Sequence, residues 1–173
     1  LFIAPEQDVL FNTTYDAGRG RAKFYSRIRD AEDDWVLRCE GKVRVYDVPA
    51  SNGRRLDTDT KGFKEINADY VYDVDPRSAF INYGPAFQTV KKLWMSRTKT
   101  VARVVLSEEV RSTSTRHHLH PTILDGCLQL LEPRMTLKRF AVGHQQNDQV
   151  CMPVGFGRMR VYADFPSEVM VEA

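Results

Sequence analysis

Two stretches near the start of the chain alternate apolar and polar residues with the period of two that a half-buried strand requires. Ala22, Phe24, Ser26 and Ile28 alternate with Lys23, Tyr25 and Arg27. Trp35, Leu37 and Cys39 then alternate with Val36, Arg38 and Glu40, and Gly41 reads as a bulge ahead of Val43 and Val45. The charged run Arg29-Asp30-Ala31-Glu32-Asp33-Asp34 between them has the character of a hairpin tip. The pattern therefore predicts two long antiparallel strands in the residues up to Val48. Pro49-Ala50-Ser51-Asn52-Gly53-Arg54-Arg55 and the polar residues to Lys61 read as a linker. Strand character resumes at Ile66, and a strong strand pair is expected around Leu93–Trp94 and Thr100–Leu106. Further on, Pro133 ends or deflects a helix, Gly143 to Gln149 is a polar loop, and Phe156–Ala163 is predicted as a strand. No internal repeat is visible.

Between these strands the period changes. Pro121 suits the first position of a helix, where its missing N–H removes nothing. From there Ile123, Leu124, Cys127, Leu128 and Leu131 fall within roughly 140° of a helical wheel. Asp125 and Gln129, four residues apart, stand one above the other just past the edge of that arc. A carboxyl at such a dry boundary is expected to have a raised pKa and to hold a proton at neutral pH, as a general acid must. A solvated Asp/Gln pair on a surface helix is the plainer alternative.

Composition narrows the function. With 173 residues, 42% hydrophobic and 28% charged, the chain can form one globular domain or two small ones. A net charge of +2 argues against a nucleic-acid surface. No apolar run approaches the roughly 18 residues of a membrane span, and the N-terminus has no signal-peptide pattern. Cys39, Cys127 and Cys151 are odd in number and far apart, which fits reduced thiols and a cytoplasmic location. His117, His118 and His120 crowd before the helix and His144 is isolated, so no metal site is expected.

Three motifs in order carry a resemblance: Tyr83-Gly84-Pro85-Ala86-Phe87-Gln88, then His120-Pro121-Thr122-Ile123-Leu124-Asp125-Gly126-Cys127-Leu128-Gln129, then Met152-Pro153-Val154-Gly155-Phe156. Together they resemble the dehydratase domains of polyketide synthases and their relatives in animal-type fatty acid synthases. The family pattern is Tyr-Gly-Pro-x-Phe, His-Pro-x-x-Leu-Asp-x-x-x-Gln and a Leu-Pro-Phe-type turn. The third motif departs from it, with Met152 and Val154 at the leucine and phenylalanine positions. The likeness runs from about Phe24 almost to Ala173, with Ala50 to Lys64 uninformative.

The resemblance implies an α+β hotdog fold, an antiparallel sheet wrapped around a central helix, here part of a tandem double hotdog. On that reading residues 1–48 are later strands of the N-terminal hotdog, 49–66 a linker, and 67–173 a C-terminal hotdog incomplete at its end. It implies a hydro-lyase that removes water from a β-hydroxyacyl thioester. Asp125 would be the acid for the departing hydroxyl, Gln129 would orient it, and Tyr83 would hydrogen-bond near the same hydroxyl or simply fill a turn. Gly84, Pro85, Phe87, His120, Pro121 and Leu124 would line the substrate tunnel. Phe87 is equally readable as core, His120 as a structural neighbour of the helix start, and Gly84 as a residue chosen for backbone geometry.

The family's base is a histidine in a His-x-x-x-Gly-x-x-x-x-Pro motif. Four residues after the histidines here stand Pro121, Thr122, Leu124 and Asp148, so none fits. The chain alone is therefore expected to be inactive, as an incomplete portion of its protein. The resemblance further implies no metal or organic cofactor, the substrate riding on the phosphopantetheine arm of an acyl carrier protein. It implies neighbouring synthase domains as partners and a homodimer in the complete synthase, with no nucleic acid or membrane. Lys91, Lys92, Arg97, Lys99 and Arg103 would greet the carrier protein or form a solvated strand face. A double-bond isomerase, an oxygen-ring-forming (pyran synthase-like) variant and a catalytically inactive structural element are the alternatives on the same scaffold.

Overall fold

Strands form where most of the period-two stretches lie, and the computed structural model adds others that the pattern does not announce. It describes residues 6–29, 34–45, 57–69, 71–72, 82–131 and 153–173, in two units, Leu1–Pro49 and Ala50–Ala173. In the first unit β1 (Val9–Asp16), β2 (Arg21–Ile28) and β3 (Val36–Lys42) form an antiparallel sheet in chain order. β2 and β3 are the two expected strands. The tip between them lies partly outside the described residues, as does the linker over 50–56.

β1 is an addition. After Val9, Leu10 and Phe11 it continues Asn12-Thr13-Thr14 and is exposed along most of its length, so no face selects for apolar side chains. The β1–β2 turn closes on Gly20 at φ 60°, where an added Cβ would stand 2.5 Å from the Val43 carbonyl oxygen. Only glycine accepts both the angle and the approach. The bulge expected at Gly41 lies elsewhere. Gly41 pairs with Ala22, and the register slips between Phe24 and Tyr25, leaving Arg38 without a partner in the ladder. Arg38 Nε donates to Ser26 Oγ at 2.8 Å, which gives the extra residue a role across the sheet.

In the second unit β4 (Lys64–Ile66), β5 (Val90–Met95), β6 (Thr100–Val105) and β7 (Glu168–Glu172) form an antiparallel sheet in the order β4-β5-β6-β7. The strong pair is the β5–β6 hairpin, closed where Ser96 Oγ accepts the N–H groups of Thr98 and Lys99 at 3.3 and 3.0 Å. Two expectations are corrected. Strand structure stops at Ile66, and Val71 N–H donates to the Ala68 carbonyl at 3.0 Å in a helical turn instead. Residues 156–163 are irregular and exposed, and the strand is β7. β6 has β5 on one side and β7 on the other, so the 156–163 segment has no open β6 edge to join. The segments over 132–152, including Pro133 and the polar loop, lie outside the described residues.

Between β6 and β7 come α1 (Glu108–Arg111) and α2 (Pro121–Gln129), with Pro121 at the first helical position as expected. Among the described residues no helix is long and apolar enough to cross a membrane. Ile123 of α2 and Leu130, which caps its C-terminal end, join Leu93, Ala102, Val104 and Leu106 of the sheet side in the core. The helix is rolled away from its sequence-predicted face. Its buried residues are Thr122, Ile123, Gly126 and Gln129, while Leu124, Cys127 and Leu128 are half-buried and Leu131 is exposed.

Gly126 explains the roll. A Cβ there would stand 2.2 Å from Thr89 Oγ1 and 2.8 Å from Val104 Cγ1, so the helix backbone rests on the sheet where only a hydrogen fits. Thr89 is itself fully buried, with Oγ1 donating to the Thr122 carbonyl at 3.3 Å. Gly126→Ala gains roughly 1 kcal/mol of helix propensity but must displace both neighbours. Overpacking of this kind typically costs about 1–3 kcal/mol. The expected result is a net loss of stability in urea denaturation, and a variant as stable as the parent overturns this account of the packing.

The helix start is capped by His120, 7% exposed. Thr113 Oγ1 donates to the Val110 carbonyl at 2.7 Å, so at 3.0 Å it accepts from Nε2–H of His120. Nδ1 is then the acceptor for the Thr122 N–H at 3.3 Å. Burial, and secondarily the His117 ring 4.9 Å away, push the His120 pKa below its ordinary value. The folded chain thus favours the neutral ring, whose capping is present above the unfolded value of about 6.5 and is lost as pH falls through the lower folded value. His120→Asn keeps a capping side chain that does not titrate. Denaturation across a pH series should show the parent losing stability relative to this variant below about pH 6.5. Parallel curves would exclude the capping role of neutral Nδ1.

Candidate active site

The side chain that organises this region is Gln129, at the end of α2 and only 3% exposed. A buried carboxamide needs acceptors for its two N–H bonds and a donor for its oxygen. Gln129 has all three. Nε2 donates to Asp125 Oδ2 at 2.7 Å and to the Phe87 carbonyl at 3.1 Å, and Oε1 accepts from the Tyr72 hydroxyl at 3.1 Å. The i,i+4 relation expected from the sequence is therefore a made contact, with Asp125 half-buried. Gln129 itself lies deeper than the arc's edge, carried inward by the roll at Gly126.

Phe87 enters this network through its backbone. Gly84-Pro85-Ala86-Phe87 makes a single 3-10 turn over Pro85–Phe87, with Phe87 N–H donating to the Gly84 carbonyl at 2.9 Å and Gln88 Nε2 donating to the Tyr83 carbonyl at 2.9 Å. The turn fixes the Phe87 carbonyl in front of Gln129. The Phe87 ring is 41% exposed, which corrects its reading as core. Gly84 is corrected too. It has φ −63° and ψ 163°, the extended backbone that a residue before proline adopts, and an added Cβ would meet nothing within 4 Å. Backbone geometry does not require glycine there.

Tyr83 is half-buried, and its ring meets that of Tyr72 edge-on, 5.8 Å between centroids at 76°. Tyr72 meets the Tyr83 ring on the turn side and donates to Gln129 of α2, so it links the turn to the helix. No pattern in the sequence marked Tyr72; its contact with Gln129 spans 57 positions. His120 and Pro121 stand at the opposite end of α2 from Gln129, His120 with both ring nitrogens engaged and Pro121 exposed, while Leu124 is half-buried beside Asp125. Burial pushes the Cys127 thiol up to about 11, which keeps it protonated and unreactive at neutral pH. Among the described residues no group of three or more His, Cys, Asp or Glu is placed to hold a metal ion. The third motif is described from Pro153 onward, with Val154 and Phe156 exposed.

The cations expected to form a patch are largely engaged. Arg103 makes a two-pronged pair with Glu168 at 2.6 and 2.7 Å, which raises the arginine pKa and lowers that of the glutamate. Lys99 pairs with Glu172 at 3.2 Å, Lys91 Nζ donates to the Gln88 carbonyl, and Lys92 lies over the Trp94 ring.

Several known proteins resemble this chain. Synthase PksN of Bacillus subtilis (strain 168) is 26% identical over 125 residues, covering 70% of this chain and 2% of that protein. The dehydratase domain of RzxB from Pseudomonas fluorescens superposes with a TM-score of 0.72 at 20% identity, covering 95% of this chain and 55% of that one. The dehydratase from the CurK module of curacin polyketide synthase gives 0.68 at 24% identity, with 94% and 56% covered. That dehydratase also has structures of a His→Phe and an Asp→Asn form, both described as inactive. The chain thus spans about half the length of these solved domains and a small fraction of a multidomain synthase. The likeness establishes the expected α+β hotdog fold, with the second unit's antiparallel sheet packed on α2. Residues 64–173, more than half of the chain, match the family described as polyketide synthase dehydratase N-terminal domain. The chain belongs to the polyketide synthase dehydratase family.

Proposed function

We propose that the protein carrying this chain removes water from a β-hydroxyacyl thioester, and that Asp125 is the acid of that elimination. The observation that carries the reading is the 2.7 Å bond from Gln129 Nε2 to Asp125 Oδ2, on a helix that opens His120-Pro121. It holds one carboxyl oxygen still and leaves the other for a ligand. In the elimination a base takes the α-proton, the C–H electron pair becomes the Cα=Cβ bond, and the β-carbon–oxygen bond breaks. Hydroxide is a poor leaving group, so a proton from Asp125 must reach that oxygen as it departs, giving water. Tyr83 supports the same hydroxyl from the turn side.

The base is a histidine supplied by the part of the protein outside these 173 residues. The inactive His→Phe and Asp→Asn forms of the CurK dehydratase support a two-residue mechanism of this kind. Residues 67–173 belong to the second hotdog and 1–48 to the first, joined by 49–66. Residues 64–173 match a family described as the N-terminal domain, which runs against this order; the assignment to the second hotdog rests on the Asp125 helix following the three-stranded unit in chain order. Gly84, Pro85, Phe87, His120, Pro121 and Leu124 line or border the acyl tunnel. The acyl group rides on the phosphopantetheine of an acyl carrier protein, with no further cofactor, in a cytoplasmic, homodimeric synthase. The pairing of Arg103 with Glu168 and Lys99 with Glu172 favours a solvated strand face over a carrier-docking patch on β6.

Asp125→Asn in the full-length protein keeps size and hydrogen-bonding capacity but has no proton to give. Dehydration of a β-hydroxyacyl carrier substrate should fall by roughly 10²–10⁴-fold in kcat with the fold intact. Turnover at the parental rate would remove Asp125 from the mechanism. The 173-residue chain alone, incubated with the same substrate, should show no loss of water by mass spectrometry. Robust dehydration there would place the base within this chain.

A further inference from the structure

Tyr72 belongs to none of the three motifs, yet its hydroxyl is the junction on which Gln129 hangs. It accepts the Val90 N–H at 2.8 Å and donates to Gln129 Oε1 at 3.1 Å. The Val90 amide can only donate, so the single phenolic proton is free to go to Gln129. That proton decides which way the carboxamide faces. With Oε1 turned to Tyr72, both N–H bonds of Nε2 point at acceptors, Asp125 Oδ2 and the Phe87 carbonyl. The flipped amide would set Oε1 against those two oxygens. We propose that Tyr72 is a positioning residue: anchored to the backbone of β5, it fixes the orientation of Gln129 and through it the Asp125 carboxyl.

The inference rests on the reading of Asp125 as the acid. The phenol is suited to the task on other grounds. Burial, with smaller contributions from Tyr83 and Asp125, holds its pKa above the ordinary value, so it remains a donor throughout the physiological range. Its ring is braced edge-on by Tyr83. The anchor is part of the sheet, in the first residue of β5, which pairs with Val104 in β6.

The test removes the hydroxyl and keeps the ring. In the unmodified 173-residue chain, the two side-chain amide protons of Gln129 should give separate NMR signals and exchange slowly with water. Fast exchange there overturns the proposal without any variant. In Tyr72→Phe the exchange should quicken by about tenfold, the loss of one hydrogen bond. Replacing Tyr72 with para-aminophenylalanine, which puts a donor back at the same point, should restore slow exchange.

In the full-length protein, with a β-hydroxybutyryl thioester of N-acetylcysteamine as substrate, Tyr72→Phe should lower kcat by roughly tenfold at nearly constant KM. In a Gln129→Ala background the same change should cost nothing more, because the route through Gln129 is already gone. Losses that multiply in the double variant, or Gln129 signals unchanged by Tyr72→Phe, overturn the proposal while leaving Asp125 as acid. Full turnover of Asp125→Asn defeats the acid reading, and the amide exchange still decides whether Tyr72 holds Gln129.

Discussion

A carboxamide taken out of water must find a partner for every polar position, and the candidate site is arranged around meeting that demand at Gln129. Left unpaired, such a buried group costs on the order of 1–3 kcal/mol. Three groups satisfy it: the Asp125 carboxyl one turn back on the same helix, and, from elsewhere in the chain, the Tyr72 hydroxyl and the Phe87 carbonyl. The contacts from Tyr72 and Phe87 require α2 to lie close to the sheet, and that closeness depends on the missing side chain at Gly126. The constraint runs in one direction, from a glycine that permits the approach to a glutamine that enforces its detail.

What could be read from the sequence was local. Pro121 marks the helix start because its effect is confined to its own backbone, and Asp125 and Gln129 meet because four residues on a helix always bring side chains together. The β5–β6 hairpin was equally plain, since two short runs rich in apolar residues flank a polar Ser96-Arg97-Thr98-Lys99 turn. The roll of α2 was hidden, because a wheel ranks side chains by hydrophobicity and cannot weigh a glycine's fit against Thr89 and Val104. Tyr72 was hidden for a different reason: its partner is remote in sequence and no period connects them. β7 escaped because Glu168 and Glu172 flank its apolar residues, and they pair with Arg103 on the neighbouring strand and Lys99 in the turn before it. Conversely, Phe156–Ala163 has the pattern of a strand, but the place beside β6 is taken by β5 and β7.

The turn at Gly84-Pro85 shows how a motif can be recognised and its physics misassigned. Its glycine suggested a conformation closed to other residues, yet the backbone there is ordinary and the space around it open. What the turn delivers is a carbonyl, that of Phe87, at the right place for Gln129. Phe87 itself is exposed rather than part of the core.

The order of strands has a consequence for how the second unit is made. β6 and β7 are neighbours in the sheet, but about sixty residues separate Val105 from Glu168. β5 and β6 can pair as soon as both have left the ribosome, whereas β7 arrives only after α1, α2 and the whole intervening chain. Until then β6 presents Thr100-Val101-Ala102-Arg103-Val104-Val105 as an open edge with unsatisfied backbone and mostly apolar side chains. Synthesis therefore passes through an interval in which this edge is exposed to pairing with other nascent chains. Arg103, the lone charge in that strand, stands guard over the edge first and becomes the partner of Glu168 only when β7 closes it.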